Sequence, residues 1–195
     1  MTNLQRTALI MIDMQNGFIK PNSPFYVAGA EATVPACARL LSAARKTNLE
    51  VIHVRRKYAP DGHDVESVRY DAWLAGGRPL SLAADDPASL DCPDLLTPAD
   101  GDRVLVKPSF SAFFGTPLHS VLKKADVSSI ALIGTSTPNC IRATCYDAIA
   151  LGYSVTVVSD ATSSPTPEIQ QANLADLVRL GVKVIDSEEL ARSFG

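Results

Sequence analysis

The chain is poor in several things, and each shortage excludes something. Of its 195 residues only 6% are aromatic, with a single tryptophan, and only three are histidines. Cys37, Cys92, Cys140 and Cys145 are the only cysteines and form no CxxC pair. A disulfide framework or a Cys-rich metal knuckle is therefore not expected, and the thiols read as reduced, in a cytoplasmic protein. Charge of either sign is not in large excess: 18 Lys and Arg against 21 Asp and Glu give −3. That balance gives no electrostatic reason to bind nucleic acid or an anionic membrane. The longest apolar run near the start, ALIMI (8–12), is too short for a signal core or a membrane span. No targeting segment is expected.

What is present is ordinary globular composition, 46% hydrophobic and 20% charged, over a length that suits one domain, 1–195. Continuous apolar runs predict strands at 7–14, 49–55, 102–107, 128–134, 153–160 and 182–186. Helical patterns lie between them. VPACARLLSAARKTN (34–48) has apolar residues at 34, 37, 38, 41 and 44, with Thr33 expected as its cap and Pro35 in its first turn. TPLHSVLKKAD (116–126) is a helix, another starts near Cys140, and 166–181 is capped by Thr166 and stopped by Gly181. Alternating strands and helices, with strands that are apolar throughout, predict an α/β fold. Its sheet is mostly parallel, six-stranded and doubly wound, with helices on both faces in a Rossmann-like three-layer sandwich. Segment 56–101 lacks periodicity and reads as a lid, a binding loop or an interface arm.

In such a sheet ligands bind at the carboxyl ends of the strands. Asp13 ends the first strand, Lys107 the third, and Cys140 follows the fourth at the first turn of a helix. A thiol there is favoured as thiolate by the helix terminus and by a nearby ammonium. A carboxylate beside it can take and return a proton, and turn N–H groups at Ser136, Thr137 and Asn139 can hold an oxyanion. Together these groups are suited to acyl transfer to water. The bland readings are a turn aspartate, a solvated lysine and a core cysteine.

These residues carry a resemblance across essentially the whole chain. DMQNGF (13–18), KPSFSAF (107–113) and GTSTPNC (134–140) resemble the D-x-Q-x-x-F, K-x-x-x-S-A-F and G-x-x-T-x-x-C motifs of the isochorismatase-like cysteine hydrolases. The resemblance implies strand order 3-2-1-4-5-6, a Cys140–Asp13–Lys107 triad and a homo-oligomer. It also implies a non-proline cis peptide at Ser136–Thr137, where the residues alone suggest Thr137–Pro138. Many members carry Asp where Gly17 stands and Asp or Asn where Pro138 stands. The metal-binding nicotinamidase branch uses D-x-H and a further His. Here DGH (61–63), His53 and His119 are scattered and read as structural, so neither metal nor cofactor is expected.

Retention of Cys140 points to a small amide, ureide or carbamoyl compound cleaved at C–N through a thioester. The alternatives are a vinyl ether hydrolase using Asp13, a thiol redox sensor, or an inactive binding protein on the same scaffold. Gln15, Phe18, Trp73, Phe113 and Phe114 are candidate substrate contacts, against core or interface packing. Arg55, Arg56, Arg69 and Arg78 are candidates for pairing a substrate carboxylate, against the default of surface solvation. Cys145, about 500° around the helix from Cys140, reads as packing.

Overall fold

A computed structural model describes residues 7–194. Six strands, β1 (Thr7–Ile12), β2 (Glu50–Arg56), β3 (Arg103–Lys107), β4 (Ser129–Thr135), β5 (Ser154–Ser163) and β6 (Lys183–Ile185), form one sheet in the order β3-β2-β1-β4-β5-β6. All five pairings are parallel. The apolar runs become strands because alternate residues must be buried on opposite faces. On β1, Ala8, Ile10 and Ile12 pack into one core and Leu9 and Met11 into the other. The first core is closed by α4 (Leu118–Lys124), α5 (Arg142–Ala150) and α6 (Pro167–Arg179), through Leu118, Leu122, Cys145, Ala148 and Leu177. The second is closed by α2 (Ala30–Lys46) and α7 (Ser187–Phe194), through Cys37, Leu40, Leu41, Leu190 and Phe194.

Two helix expectations are corrected. Thr33 is not the cap of α2, which begins at Ala30 behind Gly29. Its hydroxyl donates backward to Ala30 O at 2.8 Å, a bond made inside a helix rather than at its start. Pro35 accordingly lies within the helix and not in its first turn. The helix α7 went unforeseen beyond the last strand. Thr166 does cap α6, accepting from Ile169 N.

The segment after β2 is more ordered than its sequence predicts. It carries the short helix α3 (Tyr70–Ala75), an isolated bridge between Tyr58 and Ser81, and a small third core of Phe18, Tyr58, Val65, Trp73 and Leu80. Phe18 comes from α1 (Asn16–Ile19), so this core pins the segment beside the carboxyl end of β1. Among the described residues, no helix is long and apolar enough to cross a membrane.

Candidate active site

The site is assembled by register. Ile12 lies opposite Val54 on β2 and Gly134 on β4, and Arg56 lies opposite Lys107. Strands β1 to β4 therefore end at one level, and the residues that follow them share one edge. Gly134 makes the close approach of β1 and β4 feasible. It has φ +111°, and a Cβ there would lie 2.1 Å from Ile12 O. Asp13 leaves β1 in a left-handed conformation, φ +53°, with its N–H donating to Val54 O at 2.9 Å.

Beyond β4 the chain makes a wide turn over Thr137–Ile141, in which Ile141 N–H donates five residues back to Ser136 O at 3.1 Å. Cys140 sits in this turn, just ahead of α5, so the expected place at a helix entry holds. Asn139 closes the turn: its N–H donates to Ser136 O at 3.2 Å and its Nδ2 to Ser136 Oγ at 3.1 Å. The Thr137 hydroxyl donates to Ser163 O, which fastens the turn to β5. The non-proline cis bond is Thr135–Ser136, not Ser136–Thr137. Thr137 already belongs to the turn, so the reversal of direction falls one bond earlier, where the strand ends.

The three groups from distant parts of the chain meet. Lys107 Nζ lies 2.8 Å from Asp13 Oδ2 and donates to Cys140 Sγ at 3.5 Å and to Ser109 O at 2.9 Å. All three side chains are buried, Cys140 being 2% exposed. Thr144 braces them: its hydroxyl donates to Cys140 O at 2.7 Å and accepts from Ala112 N at 2.9 Å, joining the helix of the thiol to the loop after Lys107. Burial pushes the Cys140 thiol up to about 11; the Lys107 ammonium opposes this, the negative charge of Asp13 adds to it, and Arg56 opposes it more weakly. Burial thus works against the thiolate that the helix entry and the nearby ammonium favour.

The other named residues separate by place. Gln15 is spent on scaffolding: Nε2 donates to Arg56 O and Leu90 O, and Oε1 accepts from Arg56 N at 2.7 Å. Phe18 and Trp73 lie in the third core, where the indole N–H donates to Pro79 O. Phe113 stacks on Tyr153, and Phe114 is 65% exposed. A Cβ at Gly17 would lie 2.7 Å from Leu80, so Leu80 fills the room an aspartate would need there. Cys145 lies on α5 and is buried in the first core. His53 pairs with Asp102, His63 with Asp61, and His119 with Tyr153.

The sequence reading gave Arg56 a solvated surface as its default, and the structure corrects this. Arg56 is fully buried. Its Nη2 donates to Glu66 Oε1 at 2.5 Å, while Nε and Nη1 have no hydrogen-bond partner among the described residues. Glu66, not singled out in the sequence, also accepts from Tyr58 Oη at 2.8 Å.

Residues 7–189 match the family model for the isochorismatase domain. The chain belongs to the isochorismatase family. It is 40% identical to a probable inactive nicotinamidase of Arabidopsis thaliana, over 96% of this chain and 97% of that one. It is 32% identical to the maleamate amidohydrolase of Pseudomonas putida, over 89% and 79%. An isochorismatase family protein from Desulfovibrio vulgaris has the same fold with TM-score 0.89 and 40% identity, over 96% and 97% of the two chains.

Proposed function

We propose that this isochorismatase-family chain is a hydrolase of C–N bonds in small amides, ureides or carbamoyl compounds, working through a thioester on Cys140. The observation that carries the reading is a single buried ammonium, Lys107 Nζ, 2.8 Å from a carboxylate and 3.5 Å from a thiol. A purely structural ion pair has no need of the sulfur, and a core cysteine has no need of the ions. The amidohydrolase among its relatives supports the same chemistry.

The steps follow from the groups. Asp13 takes the thiol proton as Cys140 Sγ attacks the carbonyl carbon. Turn N–H groups hold the oxyanion, and we assign this to Thr137 and Cys140 because that of Asn139 already donates to Ser136. On collapse the C–N bond breaks and Asp13 returns the proton to the leaving nitrogen. Water then attacks the thioester, again giving a proton to Asp13, which passes it to the departing sulfur. Lys107 stays protonated and holds the carboxylate in place. We further propose a homo-oligomer; the exposed Val104 and Val106 on edge strand β3 support it.

The plant relative's name includes the word inactive. The complete set of acid, ammonium and thiol supports activity in this chain. A screen of small amides and ureides for ammonia release, with Cys140→Ala as control, tests this. Release by the wild type and none by the variant is expected; release by neither with any compound, or equally by both, overturns the reading.

A further inference from the structure

Two guanidiniums beside the thiol site have unused donors. A buried polar group without a partner is rare enough to require an explanation. Arg56 leaves Nε and Nη1 unpartnered at full burial. Arg69, half-buried just ahead of α3, has a buried Nη1 without a partner. Its guanidinium lies over Phe110 at 4.6 Å and Phe25 at 5.1 Å, and it forms no ion pair among the described residues.

Both groups belong to one corner. Arg56 lies over the Tyr58 ring at 5.1 Å, and the rings of Tyr58 and Phe25 are 6.2 Å apart. The corner also adjoins the thiol. Arg56 is paired in register with Lys107, Phe110 is three residues beyond Lys107, and the positive charge of Arg56 is felt at Cys140. Charges in this corner do not balance. Asp13 offsets Lys107 and Glu66 offsets Arg56, which leaves Arg69 in excess. Planar guanidiniums with free N–H edges between aromatic rings are suited to a planar anion.

We propose that Arg56 and Arg69 bind a carboxylate of the substrate, so that the compounds cleaved are amides or ureides that carry a carboxylate as well as the scissile C–N bond. This rests on the hydrolase reading above but names a distinct subsite and a substrate class. The carboxylate supplies the missing negative charge and accepts from the idle nitrogens, while the scissile carbonyl faces Cys140. Glu66 holds Arg56 through one nitrogen and leaves the others presented.

The test uses near-isosteric pairs in which a neutral carboxamide replaces the carboxylate, with release followed by initial rate per amide group. Ammonia release is measured for succinamate against succinamide, and for N-carbamoylglycine against its amide. Binding of succinate to the Cys140→Ala protein is measured by calorimetry. The acids are expected to exceed the neutral partners in kcat/KM by about tenfold to a hundredfold, the range of a charge-assisted hydrogen bond. Arg69→Gln removes no hydrogen bond or ion pair of the described fold, and should erase most of that preference through KM with kcat little changed. Arg56→Lys keeps the pairing charge for Glu66 and should weaken it too.

Turnover of acids and neutral amides alike, unchanged in Arg69→Gln, overturns this inference and leaves the hydrolase standing. No turnover of these or of any compound in the screen, but succinate binding that is lost in Arg69→Gln, supports the anion site and overturns the hydrolase. Neither turnover nor Arg69-dependent binding overturns both.

Discussion

Two ionic clusters are buried among the described residues, and they differ in how far their hydrogen bonds are satisfied. One lies under β2. Asp102 accepts from Arg45 Nη2 at 2.6 Å and from Ala99 N at 3.0 Å, and its Oδ2 is 2.9 Å from His53 Nε2. The other stands at the strand ends. There Asp13 touches the Lys107 ammonium without the alignment of a hydrogen bond, Arg56 has two idle nitrogens, and the neighbour is a thiol. A completed cluster contributes to holding the fold together. An incomplete one costs stability in the resting protein and makes sense where a ligand or a reacting group completes it. Burial alone does not separate the two; the unused donors and acceptors do.

Removing the thiol should separate them most sharply. Cys140→Ala is expected to lower kcat/KM by about three orders of magnitude or more, while its thermal midpoint stays near wild type. Assays of ammonia release and calorimetry check both halves. Asp102→Ala should do the reverse. It strips Arg45 and His53 of their shared partner and should cost about 3–5 kcal/mol in a denaturant titration, with activity per folded molecule retained. Loss of activity without loss of stability there would erase the distinction.

Gly134→Ala falls between the two. It forces a Cβ against Ile12 O in a backbone conformation that side chains rarely adopt. A cost of about 2–3 kcal/mol is expected, and because the β1–β4 contact sets the distance from Asp13 to Cys140, activity should fall with it.

The smallest effects are those of pH. Burial holds His53 below its usual 6.5 against the pull of Asp102, so as the medium turns acid the unfolded chain takes up this proton first. Stability from this group is complete above about pH 6.5 and declines below it. Burial raises the thiols of Cys140 and Cys145 to about 11 and Cys37 to about 12. Their contribution is complete below about pH 9, where unfolded thiols ionise, and is lost as pH rises above that. Unfolding titrations across both ranges read these slopes. Alkylation of Cys140 in the ligand-free protein should likewise be slow at pH 8 and rise steeply only in the alkaline range.

The sequence exposes the strand-end cluster better than the one around Asp102. Strand order came only from the family resemblance, but the parallel sheet and the meeting of Asp13, Lys107 and Cys140 were legible because parallel strands are apolar throughout and end in polar residues. The third core was not. It is gathered from Phe18, Tyr58, Val65, Trp73 and Leu80, which share no local period, so nothing in 56–101 announces it. Arg56 was misread for a related reason: its burial depends on Glu66 and Tyr58 folding over it. Its place at the end of an apolar strand, level with Lys107, was the available signal. The upward push on the Cys140 thiol was hidden as well, since the helix entry is visible in sequence and the depth of burial is not.

The proposed hydrolysis requires that Cys140 form a covalent bond with the acyl group of substrate while Asp13 carries the proton. Rapid acid quench during turnover of a cleaved amide, followed by peptide mass mapping, tests it directly. A mass increment equal to the acyl group is expected on the peptide bearing Cys140, absent in Cys140→Ala. Turnover that continues in the Cys140→Ala protein, with that peptide unmodified in the wild type at every quench time, would contradict it.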